Sequence, residues 1–179
     1  MGLIVAVDSN YGIGKNGTLP WSLKKDMQFF VDHTMRTKDP NKVNAVVMGR
    51  KCWESIPVKF RPLKNRLNVV ISRTLPKHRD DNLIISDDFD EIVTELICGS
   101  LSEKVENVWN IGGAEIYKIG LEKGFVNQIL ITKIRQDFDT DVFLKGVDWG
   151  HYREDESARS DLMVENGIEF SFHCYRYFD

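Results

Sequence analysis

Short apolar runs rich in valine and isoleucine recur along the chain, at Leu3 to Val7, Val43 to Met48, Leu67 to Ile71, Leu83 to Ile85, Val108 to Ile111 and Gln128 to Thr132. Runs of this length without internal alternation predict strands covered on both faces, as in parallel sheets. Helical spacing falls between several of them. Ser22 stands where a cap is needed for a helix reaching about Met35, Asp88 starts a second helix through Leu96, and Gly113 opens a third through Leu121. Strands alternating with helices predict a mostly parallel sheet with helices on both faces. The C-terminal end follows another rule. Asn166-Gly167 is a turn dipeptide, and Ile168 to Tyr177 alternates between apolar and polar positions as an antiparallel strand does. The expected fold class is α/β: a single domain over residues 1–179, with a central mixed, mostly parallel sheet, antiparallel C-terminal strands and flanking helices. The polar stretch from Arg153 to Asp161 reads as a surface loop.

Composition supports a folded domain with its own core, since 42% of the 179 residues are hydrophobic and 28% charged. Cys52, Cys98 and Cys174 are odd in number and widely spaced, with no C-x-x-C, which predicts reduced thiols and no metal site. The apolar N-terminus lacks a basic leader and is interrupted by Asp8, so it reads as a buried strand of a cytoplasmic protein and not as a signal peptide or membrane span. A net charge of −3 gives no general pull toward nucleic acid. It hides a local imbalance: Arg50, Lys51, Lys59, Arg61, Lys64, Arg66 and Arg73 face the single acid Glu54 between Gly49 and Arg73. Such a run is either a solvated face or an anion site.

Gly12-Ile13-Gly14-Lys15-Asn16-Gly17 matches the dinucleotide fingerprint letter for letter, but the context fails. That fingerprint needs a helix opening at the motif, whereas Thr18-Leu19-Pro20-Trp21 follows and the residue before a proline is driven out of helical geometry. What remains is a glycine-rich loop, either a flexible connection or a lid over a ligand. Asp26 and Phe30 lie four residues apart on a helix face with Met27. Asp26 there is either a carboxylate favoured by the helix start or a pocket carboxylate whose desolvation raises its pKa for proton chemistry. Val46 to Arg50 reads as a strand ending in glycine before a helix start that carries cations, a phosphate-binding arrangement. A cation at that strand end suits a 2′-phosphate, which favours NADPH over NADH. Val69-Val70-Ile71-Ser72-Arg73 is a second such strand end, and Gly112-Gly113 is either a tight strand-to-helix turn or an anion nest.

In this order the segments resemble the dihydrofolate reductase family over essentially the whole chain. The stretches that carry the likeness are Ile4-Val5-Ala6-Val7, Gly12 to Gly17 with Leu19-Pro20-Trp21, Leu23 to Phe30, Val47 to Lys51, Ser55-Ile56-Pro57, Arg61-Pro62-Leu63 with Arg66, Ile71-Ser72-Arg73, Ile111-Gly112-Gly113 with Tyr117, and Asp137 to Phe143. The resemblance implies reduction of 7,8-dihydrofolate to tetrahydrofolate with NADPH as cofactor, in a cytoplasmic monomer that antifolates inhibit. It makes Asp26 the pterin-holding carboxylate, with Leu19 and Trp21 also at the catalytic centre. It implies a folate pocket of Ile4, Val5, Met27, Phe30, Ile56, Phe60, Leu63, Ile111 and Tyr117, with Thr132 behind Asp26 and Arg66 clamping the α-carboxylate of the substrate's glutamate tail. It assigns to the cofactor Ala6, Ile13, Gly14, Lys15, Gly17 and Thr18 near the nicotinamide end, and Arg50, Ser72, Arg73 and Thr74 around the 2′-phosphate. Lys51, Cys52, Gly112, Gly113, Ala114, Glu115, Ile116 and Tyr117 then border the pyrophosphate side. Cys52 stands where the family usually has threonine, replacing a hydroxyl by a weaker thiol donor. Ser55-Ile56-Pro57 and Asp137-Phe138 resemble animal members.

Two other readings compete. A pyrimidine reductase of riboflavin synthesis shares the implied fold and NADPH but not a helix carboxylate in the setting of Asp26, Phe30 and Arg66. A nucleotide-sensing or RNA-binding protein using residues 50–79 would show steep salt dependence. The basic residues are interleaved with the pocket motif, so no nucleic-acid or membrane partner is expected.

Overall fold

The computed structural model describes residues 1–179. In chain order the elements are β1 (Gly2–Val7), β2 (Gly12–Gly14), α1 (Lys24–Met35), β3 (Val43–Gly49), α2 (Arg50–Ser55), β4 (Arg66–Ile71), β5 (His78–Arg79), β6 (Leu83–Ser86), α3 (Phe89–Cys98), β7 (Val105–Gly112), α4 (Ala114–Glu122), β8 (Gln128–Ile134), β9 (Val142–Phe143), β10 (Tyr152–Glu154), β11 (Met163–Glu165) and β12 (Ile168–Tyr177). The main sheet runs β10-β12-β8-β1-β7-β3-β4-β6-β5, with β11 paired to β12; β2 and β9 form a separate small sheet. Its centre is parallel, through β8-β1-β7-β3-β4-β6, and both ends are antiparallel.

Double burial explains the unbroken apolar runs. On β3, Ala45 and Val47 join the α3 side, with Ile92, Val93 and Leu96. The alternate residues Val46 and Met48 join Ile4, Val70, Ile111 and Leu130 on the other face, under Phe29, Phe30, Cys52 and Trp53 from α1 and α2. Apolar side chains therefore follow one another along the strand, and no alternation survives in the run from Ala45 to Met48. Asp88 caps α3 as expected, its side chain accepting the N–H of Glu91.

Three expectations are corrected. Ser22 does not cap α1: the N-cap residue is Leu23, with no side-chain bond of its own. Nor is the helix face that carries Asp26, Met27 and Phe30 packed throughout, because Thr34 is the one buried residue of α1 and Met27 is exposed. The helix is a wall of the cleft: Phe29 and Phe30 pack on the sheet, Phe29 stacks on Phe172 with ring centroids 4.1 Å apart, and Met27 is left open. Arg153 to Asp161 is no simple loop either. It includes most of β10 and a short 3-10 turn at Glu156–Ala158, held by Asp155 accepting from Ser157 and by Glu154 gripped by Arg159 and His173.

The glycine-rich segment after β1 opens no helix before Lys24, which agrees with rejection of the dinucleotide fingerprint. Instead the buried side chain of Asp8 organises it. One carboxylate oxygen accepts the N–H groups of Asn10 (2.9 Å) and Gly12 (2.8 Å), and the other accepts from Phe138 N–H (3.2 Å) and the Thr140 hydroxyl (3.1 Å). Burial pushes the Asp8 pKa up, but these hydrogen bonds outweigh it and hold the group below its ordinary value. A side chain at Gly12 would overlap Thr140, so glycine is needed where the two loops meet.

Candidate active site

The C-terminal halves of β1, β3, β4, β7 and β8, with α1, α2, the start of α4 and the Ile13–Leu19 loop, enclose a cleft of about 2080 Å³. In open parallel sheets, ligands bind at the carboxyl ends of strands, beside the point where strand order reverses. That is the position here, since the chain runs outward through β3, β4 and β6 and returns to insert β7 between β1 and β3.

Asp26 lies in the first turn of α1, partly buried, and its Oδ1 accepts from the Thr132 hydroxyl at 2.6 Å. Thr132 is buried on β8. Loss of solvent pushes the Asp26 pKa up, the Thr132 bond opposes this, and the nearby Glu165 charge pushes it up again; the net direction is upward. A carboxylate with raised pKa beside Ile4, Val5, Met27, Phe30 and Ile111 is suited to holding a cationic or amidine-like edge in a mostly apolar slot.

Arg66 begins β4 and is buried, yet no carboxylate pairs with it. Its Nε donates to the Lys64 carbonyl (2.9 Å) and its Nη1 to the Thr34 hydroxyl (3.0 Å), and burial draws its pKa below the ordinary value. These bonds fix the plane of the guanidinium while the group still borders the cleft. A buried cation lacking its counter-ion fits an anionic ligand group.

The opposite wall is basic and glycine-rich. Arg50 is tied to Glu54 at 2.9 Å, whereas Lys51 and Arg73 are exposed and have no carboxylate within ion-pair distance. Ser72 Oγ accepts the N–H groups of Thr74 (3.1 Å) and Leu75 (3.0 Å), and its own proton points to the Thr74 hydroxyl at 3.3 Å. Gly112 has φ of +97°, and a Cβ there would meet the Tyr117 ring at 2.6 Å, so only glycine allows that approach. Tyr117 is buried and places its hydroxyl 2.8 Å from the Ile4 carbonyl and 3.0 Å from that of Ile111.

Most of the residues named from sequence border this one cleft: Ile4, Val5, Ala6, Ile13, Gly14, Gly17, Thr18, Leu19, Asp26, Met27, Phe30, Arg50, Lys51, Cys52, Ile56, Phe60, Leu63, Arg66, Ser72, Arg73, Thr74, Ile111, Gly113, Ala114, Glu115, Ile116, Tyr117 and Thr132. Lys15, Trp21 and Gly112 do not line it. Lys15 turns out to Asp139 at 3.4 Å, and Gly112 lies behind Tyr117. Trp21 is buried with Leu23, Ile134 and Phe170 and packs on Phe138, although its Nε1 has no hydrogen-bond partner. Sequence reasoning missed Phe29, Asp87, Asp88, Phe89, Asp90 and Lys123, which also border the cleft. The ion pair of Lys123 with Asp90 (2.6 Å) links the end of α4 to the start of α3. Asp88 carried a signal only as a helix cap.

Cys52 sits in α2 with its sulfur 3.8 Å from the Ile111 carbonyl oxygen, and burial pushes its thiol up to about 11. A thiol that stays protonated is a poor nucleophile. Of the three cysteines, Cys98 alone is exposed. Alkylation of the folded protein near pH 7.5 is therefore expected at Cys98 first, with half-buried Cys52 slower because its thiol stays protonated and buried Cys174 slowest; peptide mass mapping that finds Cys52 labelled as fast as Cys98 would contradict this order.

The fold and cleft together define a small-molecule site of the doubly wound α/β class, acidic at one wall and cationic at the other. A family model described as dihydrofolate reductase matches residues 1–177. A Caenorhabditis elegans protein is 45% identical over 177 residues, covering 96% of this chain and 94% of its own. The dihydrofolate reductase of Gallus gallus is 37% identical over 177 residues, with 97% and 94% covered. Among solved structures, Schistosoma mansoni dihydrofolate reductase superposes with a TM-score of 0.84 at 38% identity, covering 98% of this chain and 97% of the other. The chain belongs to the dihydrofolate reductase family.

Proposed function

We propose that this protein reduces 7,8-dihydrofolate to 5,6,7,8-tetrahydrofolate with NADPH as the reductant. The observation that carries the reading is the pairing, in one cleft, of an anion with raised pKa and a buried guanidinium that lacks a carboxylate. Dihydrofolate presents the matching ends: an amino-pyrimidine edge and a glutamate carboxylate.

The residues present also fit the cofactor. A Cβ at Gly113 would meet no atom within 4 Å, so the backbone at the start of α4 borders open space. Free N–H groups at that helix end, with Lys51, Ser72, Arg73 and Thr74 nearby in the same cleft, make a setting for phosphates. Arg50, on release from Glu54, would add a cation for a 2′-phosphate. Ala6, Ile13, Gly14, Gly17 and Thr18 would border the nicotinamide end. When bound, NADPH supplies the hydride that adds to C6 of the pterin.

The chain's own contribution is binding, orientation and charge. Asp26 accepts from the 2-amino group and N3 of the pterin while Thr132 fixes its carboxylate plane. That contact polarises the ring, and the proton reaches N5 from water. Ile4, Val5, Met27, Phe30, Ile56, Phe60, Leu63 and Ile111 hold the heterocycle and benzoyl group in an apolar slot, and Arg66 grips the α-carboxylate. Leu19, half-exposed in the loop over the cleft, helps exclude water. Pteridine antifolates that present the same edge should compete for the slot.

The test is direct. Protein mixed with NADPH and dihydrofolate should consume the nicotinamide absorbance band; no oxidation of NADPH over background would reject the reading.

A further inference from the structure

The start of α1 lacks a local cap: Leu23 is the N-cap residue, and no side chain of its own segment accepts from the first turn. Its partner comes from the far end of the chain. Glu165, the last residue of β11, accepts the N–H of Lys24 at 2.7 Å through one carboxylate oxygen and that of Lys25 at 3.1 Å through the other. The next residue is Asp26. We propose that Glu165 is a positioning residue for Asp26: it holds the first turn of α1 in register and sets a second negative charge beside the cleft carboxylate. As a role in catalysis, this rests on Asp26 being the group that polarises the pterin.

Two effects act in the same direction. A helix N-terminus carries partial positive charge that stabilises a carboxylate in the first turn. Glu165 takes up those N–H groups and offsets that charge, so Asp26 receives less of it. Asp26 accepts from the Thr132 hydroxyl of β8 and lies within electrostatic reach of the Tyr117 phenol of α4 and of Glu165 of β11. Of these, Glu165 alone is an anion at neutral pH. After the larger effect of burial and the opposing Thr132 bond, its charge raises the Asp26 pKa. Glu165 itself is held low by the Lys24 and Lys25 N–H groups, with the two lysine charges helping, so it remains ionised while Asp26 titrates. It sits beside the Asn166-Gly167 turn, where both residues have positive φ, and is partly exposed, so replacing it empties no core.

Glu165→Gln keeps the side-chain length and removes the charge, leaving one oxygen to accept from Lys24 or Lys25. The Asp26 carboxyl is followed by carbon-13 NMR against pH, its signal assigned by its loss in Asp26→Asn, and kcat for dihydrofolate reduction is measured over the same range. The expected result is an Asp26 midpoint displaced to lower pH, with the midpoint it contributes to the pH profile of kcat moving alongside it. The ionisation constant of Asp26 should change about two- to fivefold, the size of a helix-end charge effect. Glu165→Asp, which keeps the charge, should restore the midpoint toward that of the parent. High salt should lower the parent midpoint in the same direction by screening Glu165, a readout that survives a variant that does not fold. A cap with only a structural role would lower thermal stability and overall activity but leave the midpoint in place, and an unmoved midpoint in both the Gln variant and high salt overturns the proposal. A displaced midpoint in a protein that never oxidises NADPH would uphold the coupling and reject the functional reading instead.

Discussion

Asp26→Asn is expected to lower turnover at pH 7 by about 10²- to 10⁴-fold, the range of a positioned acid or base. The amide still accepts from Thr132, so the pocket keeps its shape, but it no longer brings a charge to the amino-pyrimidine edge. Activity should partly return at low pH, where substrate arrives already protonated; kcat across a pH series checks this, and an unchanged profile would remove Asp26 from the chemistry. The same substitution has a second readout with opposite sign. Because the folded-state pKa of Asp26 is raised, its ionisation costs stability. That cost is absent below the unfolded-state pKa and fully present above the raised folded-state value. Asp26→Asn should therefore be more stable than the parent at pH 7, with the difference fading in acid. Denaturant midpoints at both pH values report it.

Arg66→Ala is expected to weaken binding of dihydrofolate by about 10²-fold or more, as when one partner of a buried charge pair is truncated. Tail-less pteridine antifolates should lose little, since they carry no carboxylate for this group. Equal losses for both ligand types, measured by fluorescence titration, would reject the clamp. Stability should change less than burial of the side chain suggests. The substitution gives up bonds to Lys64 and Thr34 but also relieves a cation that no carboxylate neutralises.

The parallel strands were legible because both of their faces are buried, which writes continuous apolar runs into the chain, and α3 was legible because Asp88 caps it from three residues away. The start of α1 was not, because its cap is Glu165, more than a hundred residues downstream. No local pattern records such a partner. The cleft shows the same division. Asp26, Arg66 and the glycine-bearing strand ends sit in motifs whose order along the chain identified the family. Asp87, Phe89 and Lys123 belong to an ordinary helix start and helix end, and only the packing of α3 beside α4 brings them to the cleft. Trp21, which its motif sets near the catalytic centre, is buried in an apolar cluster with Leu23, Ile134 and Phe170, one layer behind the residues that line the cleft.

The placement of β1 has a consequence for synthesis on the ribosome. Gly2 and Leu3 pair with Trp109 and Asn110 on one side and with Gln128 and Ile129 on the other. β1 is thus central, and both of its neighbours lie far downstream, so neither exists until β7 and β8 have been translated. At synthesis rates of about 5–20 residues per second, Leu3 to Val7 emerge apolar and unpaired on both edges for roughly 5–25 s. The nascent chain should need shielding by a chaperone over that interval, and a ribosome stalled before β7 should present an aggregation-prone β1 whose two edges the finished sheet pairs.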